Sequence, residues 1–230
     1  MRHFDGIVGL VCSLVISAQA MALGIDDLSN KDTASGIKET LSKGAEVAVG
    51  QLGKPGGFMG DARVKIPLPD GLRQAEGVMR KLGMSKQADE LIEAMNRAAE
   101  TAVVEARPIL VNAVKNLGFD DAKGILTGGE DAATQYFKRT TSAPIGEKFL
   151  PIVKKATAKV QLADKYNQYA GKAAKFGVID EKDANLDAYV TQKALDGLYL
   201  MIAEQEKNIR KDPIGTGSSI LKKVFGAIGN

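Results

Sequence analysis

Two short stretches of this 230-residue chain combine residue types and spacings that could do chemistry. The first joins Thr127-Gly128-Gly129-Glu130-Asp131 to the aromatic pair Tyr136-Phe137 and the basic pair Lys138-Arg139. Its glycines can end one helix in a left-handed conformation and let the backbone approach a neighbour closely. The helix that follows would then offer free amide groups, a potential anion site. Glu130 and Asp131 already bring negative charge to that end, so self-capping is the simpler expectation. Tyr136 and Phe137 point in adjacent directions, one into the core and one toward a groove. If the stretch is more than a structural corner, its ligand-binding residues are Thr127, Gly128, Gly129, Asp131, Tyr136, Lys138 and Arg139.

The second stretch, Asp183-Ala184-Asn185-Leu186-Asp187, has the D-x-N-x-D spacing that opens an EF-hand loop. The next position requires Gly and holds Ala188, and the bidentate Glu of the loop's last position falls on Ala194. Asp183 and Asn185 are therefore expected to cap a helix, with Asp187 favouring its positive end. Phosphate loops fail in the same way. Gly53-Lys54 is followed by Pro55 where Ser or Thr is needed, and Ile220 stands where a third glycine would follow Gly215-Thr216-Gly217. No metal and no cofactor are expected.

The first residues decide which chemistry remains. MRHFDGIVGLVCSLVISAQA has a basic residue, an uncharged apolar run from Ile7 to Ile16 and small residues at Ala18 and Ala20. That is the layout of a secretory signal peptide over residues 1–20, cut after Ala20 or Ala22. A spanning helix needs about 20 apolar residues, so the run is too short to be one, and no transmembrane segment is expected in the mature chain. Cys12 lies too early and follows Val11, which argues against a lipid anchor. The only cysteine and the only histidine, Cys12 and His3, would both leave with the leader. The mature chain could then run no Ser-His-Asp or Cys-His mechanism and hold no His or Cys zinc site. Arg2 and Asp5 cancel, so the net charge stays at +3. With both signs interspersed, that value carries no footprint of nucleic-acid binding.

These residues must be positioned by helices, because apolar side chains recur at intervals of three and four along the chain and period-two alternation does not persist. Ser29-Asn30 caps a helix to Leu52 with Ile37, Leu41, Ala45, Ala48 and Leu52 inward, and Gly53 stops it. Residues 53–70 hold four glycines and three prolines and form one long loop, either functional or a flexible tether. Leu72, Ala75, Met79 and Leu82 share the face of a short helix ended by Gly83. Ser85 caps a stronger helix carrying Ala88, Leu91, Ile92 and Met95, which Pro108 breaks or bends. Helices from Asp120 to Leu126 and from Glu130 to about Arg139 flank the Thr-Gly-Gly turn, and Ser142 caps another that holds Ile145, Phe149 and Val153. Tyr166 and Tyr169 mark a further helix, and Asn185 caps the last long one. Pro213 separates a C-terminal amphipathic extension, 213–230. The reading is an all-α bundle of short and medium helices bent at prolines, with residues 21–230 as one domain.

KGILTGGEDAATQYFKRTT, LGKPGGF, KIPLP, KLGMSKQADELIEAMNRAAE, KFLPIVKKAT and ALDGLYLMIAEQEKNIRKDP follow one another in an order that resembles the exported bacterial family catalogued as domain of unknown function 4197. The likeness runs roughly from Leu28 to Phe225. It implies an exported, helical, single-domain protein and carries over no catalytic or binding residue. Three functions are expected in turn. The first is a non-catalytic periplasmic binding or interaction protein whose partner is an unknown envelope protein. The second is a carrier of a small apolar or lipid-like ligand between helices splayed at Pro108 and Pro151. The third is a hydrolase of envelope polymers using an acid near 127–131 with Tyr136.

Overall fold

A computed structural model describes residues 30–83, 85–175 and 184–212. The leader with His3 and Cys12, the Ser29 cap, Asp183 and the segment 213–230 lie outside the described residues. The chain is all-α. Its helices are α1 (Asn30–Leu52), α2 (Asp70–Lys81), α3 (Ser85–Val103), α4 (Ala106–Lys115), α5 (Phe119–Thr127), α6 (Ala132–Thr157), α7 (Gln161–Lys175) and α8 (Leu186–Lys211). There is no strand among the described residues. The long helices α6 and α8 pack on each other, with α3 against both and α1 against α8 and α4.

The three-and-four spacing of α1 does what it predicts: Ile37, Leu41, Ala45, Ala48 and Leu52 are all buried on one face. Small Ala side chains at 45 and 48 let neighbouring helices approach. On α3 the stripe Ala88, Leu91, Met95, Ala98 and Ala102 is buried, while Ile92 is half-buried. Asn185 Oδ1 accepts from the amides of Asp187 and Ala188 at 2.9 and 3.1 Å and opens α8 as expected. Leu82 departs from the reading. It lies past the end of α2 and is 72% exposed, because Gly83 turns the chain away at φ 78°. The side chains of Ala75, Met79 and Tyr169 lie outside the described residues.

Ser142 is not a cap. Helix α6 runs unbroken through it, with Pro144 and Pro151 inside. The hydroxyls of Thr140, Thr141 and Ser142 fold back onto the carbonyls of Tyr136, Phe137 and Lys138, at 2.8, 2.6 and 2.7 Å. Ser and Thr make such bonds inside helices as well as at their starts, so a hydroxyl run beside proline reads as a boundary without being one. Pro108 breaks nothing inside a helix either. It sits in the first turn of α4, where a missing N–H costs little, and the chain turns earlier, at Val104-Glu105.

The glycine- and proline-rich segment is no tether. Residues 53–69 form a strap drawn tightly over α3 and α8, with Phe58, Ile66 and Leu68 almost fully buried. Asn96 of α3 meets Ile66 as a neighbouring strand would, accepting its N–H and donating to its carbonyl, both at 2.9 Å. Buried Glu100 accepts from the amides of Phe58 and Met59 at 3.2 and 3.4 Å. The Tyr189 hydroxyl donates to the Pro67 carbonyl at 3.1 Å. Buried backbone groups need such partners, and here the helices supply them. Gly197 makes room: a Cβ there would stand 2.8 Å from the Phe58 ring.

Candidate functional site

The turn 127–131 is best understood from the amides it exposes. Asp131 occupies the N-cap of α6 without a capping bond, its carboxylate accepting instead from the Gln135 side chain at 2.8 Å. The anion at this helix start comes from elsewhere. Glu206 of α8, 4% exposed, accepts from the amides of Ala133 and Thr134 and from the Thr134 hydroxyl, each at 2.9 Å. Arg210, one turn on, donates to the same carboxylate at 2.8 Å and to the Ile125 carbonyl at 2.9 Å. The expected anion site therefore exists and is filled by the protein's own carboxylate, a better geometry than self-capping by Glu130 or Asp131. Gly128 is extended, not left-handed, at φ −82° and ψ −178°. Its reason is space: a Cβ would meet the Gly124 carbonyl oxygen at 2.6 Å and the Ala132 Cβ at 2.8 Å.

Beyond the turn the sequence candidates part company. Phe137 is fully buried, and Tyr136, 5% exposed, floors a surface cleft of about 770 Å³. Lys138 takes neither path, its ammonium lying 5.9 Å from the centre of the Tyr199 ring. Arg139 reaches the cleft, with its guanidinium carbon 5.6 Å from the centre of the Tyr136 ring and a 3.3 Å contact to Asp121. Thr127, Gly128, Gly129 and Asp131 do not line the cleft. Of the seven candidates only Tyr136 and Arg139 meet at one concavity.

The cleft lies where α4, α5 and α6 converge. Pro108, Ile109 and Ala113 of α4 and Pro144 of α6 give it apolar walls. Asn112, Asn116, Asp121 and Lys148 supply polar groups that the sequence reading did not single out. They come from exposed helix faces whose pattern resembles ordinary solvated surface, so only the meeting of the three helices reveals them. The Tyr136 hydroxyl donates to the Ala113 carbonyl at 2.9 Å, which fixes the ring as a floor. Burial pushes the phenol above its ordinary value; the nearby Asp121 carboxylate adds to the rise and Arg139 opposes it. At neutral pH Tyr136 is a neutral, committed donor. Tyr199, hydrogen-bonded to Thr141 at 2.8 Å, is also pushed up by burial, against the opposing effect of its hydroxyl neighbours Ser142 and Thr141.

Two further carboxylates meet at another concavity. Glu90 and Glu93 share a second cleft of about 430 Å³ between α3 and the start of α7. Each already faces a cation one turn along α3, Lys86 at 3.8 Å and Arg97 at 2.9 Å. A smaller, more apolar pocket of about 180 Å³ lies between α1 and α4, where Ala45, Leu110, Val111 and Val114 meet. Among the described residues no three His, Cys, Asp or Glu side chains group to hold a metal ion. No described helix is long and apolar enough to cross a membrane.

No curated protein and no solved structure matches the chain. One family model does, over residues 27–226, the span that holds every described helix and the strap. The chain thus belongs to the family described as Protein of unknown function (DUF4197).

Proposed function

We propose that this is an exported, non-catalytic binding protein of the bacterial envelope, and that the cleft between α4, α5 and α6 is its binding surface. The observation that carries the reading is the state of Tyr136. Its ring forms the floor of an open concavity, while its hydroxyl is spent on the Ala113 carbonyl. A side chain placed to be touched but not to react suits recognition better than bond-making. The cleft's volume of about 770 Å³ falls within the roughly 300–1,000 Å³ typical of small-ligand sites, and more of its lining residues are polar than apolar, which suits a polar ligand.

The rival readings find less support. A hydrolase needs a carboxylate free to exchange a proton or attack. Neither Glu130 nor Asp131 lines the cleft with Tyr136, and Asp131 accepts from the Gln135 side chain; the carboxylate that does line it, Asp121, faces Arg139. A lipid carrier needs an apolar cavity of at least roughly 300 Å³, and the apolar pocket between α1 and α4 has about 180 Å³.

The test is a thermal-shift screen of the mature protein against envelope metabolites, lipids and metal ions, repeated with Arg139→Ala. A ligand that raises the midpoint of the parent and not of the variant supports the cleft. Hits unaffected by Arg139→Ala would move the function to another surface.

A further inference from the structure

Accepting the cleft as the binding surface, we infer that its ligand is a peptide end: a free carboxylate next to an amide N–H. Two chemical features of the cleft point there. The first is cationic. Lys148 has no ion-pair partner among the described residues, and Arg139, oriented by the Tyr136 ring, meets Asp121 through one nitrogen at 3.3 Å and keeps the other donors of its guanidinium. Both lie exposed in the cleft wall, where an incoming carboxylate can take charge-assisted hydrogen bonds from them. The second feature is an acceptor. Pro144 has no N–H to return to the carbonyl four residues back, so the Thr140 carbonyl lacks its helical donor, and both residues line the cleft. The Thr140 hydroxyl cannot substitute, since it donates to the Tyr136 carbonyl at 2.8 Å.

A free phosphate or a simple carboxylate would use the cations and leave that acceptor to water. A ligand carrying an N–H beside its anionic group uses both. The amide side chains of Asn112 and Asn116, on the opposite wall, can bond further peptide groups, and Pro108, Ile109 and Pro144 offer apolar surface to a short side chain. Tyr136 beneath them gives the aromatic face. Donors, an acceptor and apolar contact at one concavity match a polypeptide end better than a sugar or a bare anion.

The experiment is a protein-observed NMR titration of the mature chain with three probes: N-acetyl-trialanine with a free carboxylate, the same peptide as its C-terminal amide, and inorganic phosphate. The free-acid peptide should shift amide signals around Ala113, Tyr136 and Arg139 and bind about tenfold more tightly than the amide form, the size of one charge-assisted bond. Lys148→Ala should remove that tenfold preference and leave the chain folded. Equal binding of acid and amide forms, or a preference untouched by Lys148→Ala, overturns the ligand class. Phosphate shifting the same signals while neither peptide does would overturn it too, yet keep the cleft as a binding surface. No shift there with any of the three probes counts against the peptide end alone, whereas ligands that bind independently of Arg139 in the thermal-shift screen remove the cleft itself.

Discussion

Glu206 is a carboxylate held 4% exposed at the start of another helix. A carboxylate taken out of water is tolerable only when its lone pairs are filled, and here two amides, a hydroxyl and Arg210 fill them. Replacing it with glutamine keeps the shape and removes the charge, leaving Arg210 without its partner. Urea unfolding of Glu206→Gln should show a loss of about 3 kcal/mol, as is usual when one half of a buried pair is removed. Arg97→Gln, whose partner Glu93 is exposed, should cost under about 1 kcal/mol. Asp61 shows the same physics at the surface. Hydrogen bonds from the side chain and then the backbone of Arg63 lower its pKa from 3.8 to about 2. A depressed carboxyl favours the fold above its unfolded value, so this contribution is present above about pH 4 and fades as the pH falls toward 2. The stability difference between the parent and Asp61→Asn should shrink over that interval, read as the gap between their thermal midpoints. Sequence could not place Glu206 here. Glu206 and Arg210 are four apart and read as one more solvated pair, because nothing local says that α8 points this face at the start of α6.

Among the elements, the strap is the one whose role residue order leaves open. Glycines and prolines excluded helix over 53–69 and did so correctly, but composition does not distinguish a loose connection from one held by side chains distant in sequence. Asn96 lies 30 positions from Ile66 and Glu100 lies 42 from Phe58. The fit between Phe58 and Gly197 can be tested as a pair. Phe58→Ala should cost about 4 kcal/mol by emptying a fully buried site. Gly197→Ala should cost about 2 kcal/mol by pushing a methyl group into the ring. With Phe58 already replaced, the added methyl has room, and Gly197→Ala should cost almost nothing. Strictly additive losses in the double variant would mean that the strap does not press on α8 at this point. The regular helices were far more legible. The boundaries of α1, its buried stripe and the Asn185 cap of α8 all follow from local pattern, since burial on one face and an unsatisfied helix end are local demands. Ser142 misled for the complementary reason: packing on α8 and α3 keeps α6 whole where its own sequence would let it end.

For the molecule as a whole, the all-α class and the family were readable from residue order alone, while the cleft was not. It is lined by residues of α4 and α6 with Asp121 of α5, most of which read as ordinary surface, and no local pattern says that the three helices meet. Our proposal of an envelope protein makes a simple demand on the chain recovered from a producing cell. Its intact mass should lack the first 20 or 22 residues, and it should not react with thiol reagents, because Cys12 is gone. A full-length mass with a reactive thiol would restore the chemistry of Cys12 and His3 and undo the exclusions drawn from their loss.

The central claim is recognition without reaction at the Tyr136 cleft. Its most direct measurement is a paired time course on the ¹⁵N-labelled mature protein mixed with soluble envelope extract, with ¹H–¹⁵N spectra reading the protein and ¹H spectra reading the extract. The account predicts immediate, stable shifts for amides around Ala113, Tyr136 and Arg139, with the extract's own signals keeping their identity over hours. New product signals that grow with time, and stop growing when a single acidic residue is replaced, would contradict it.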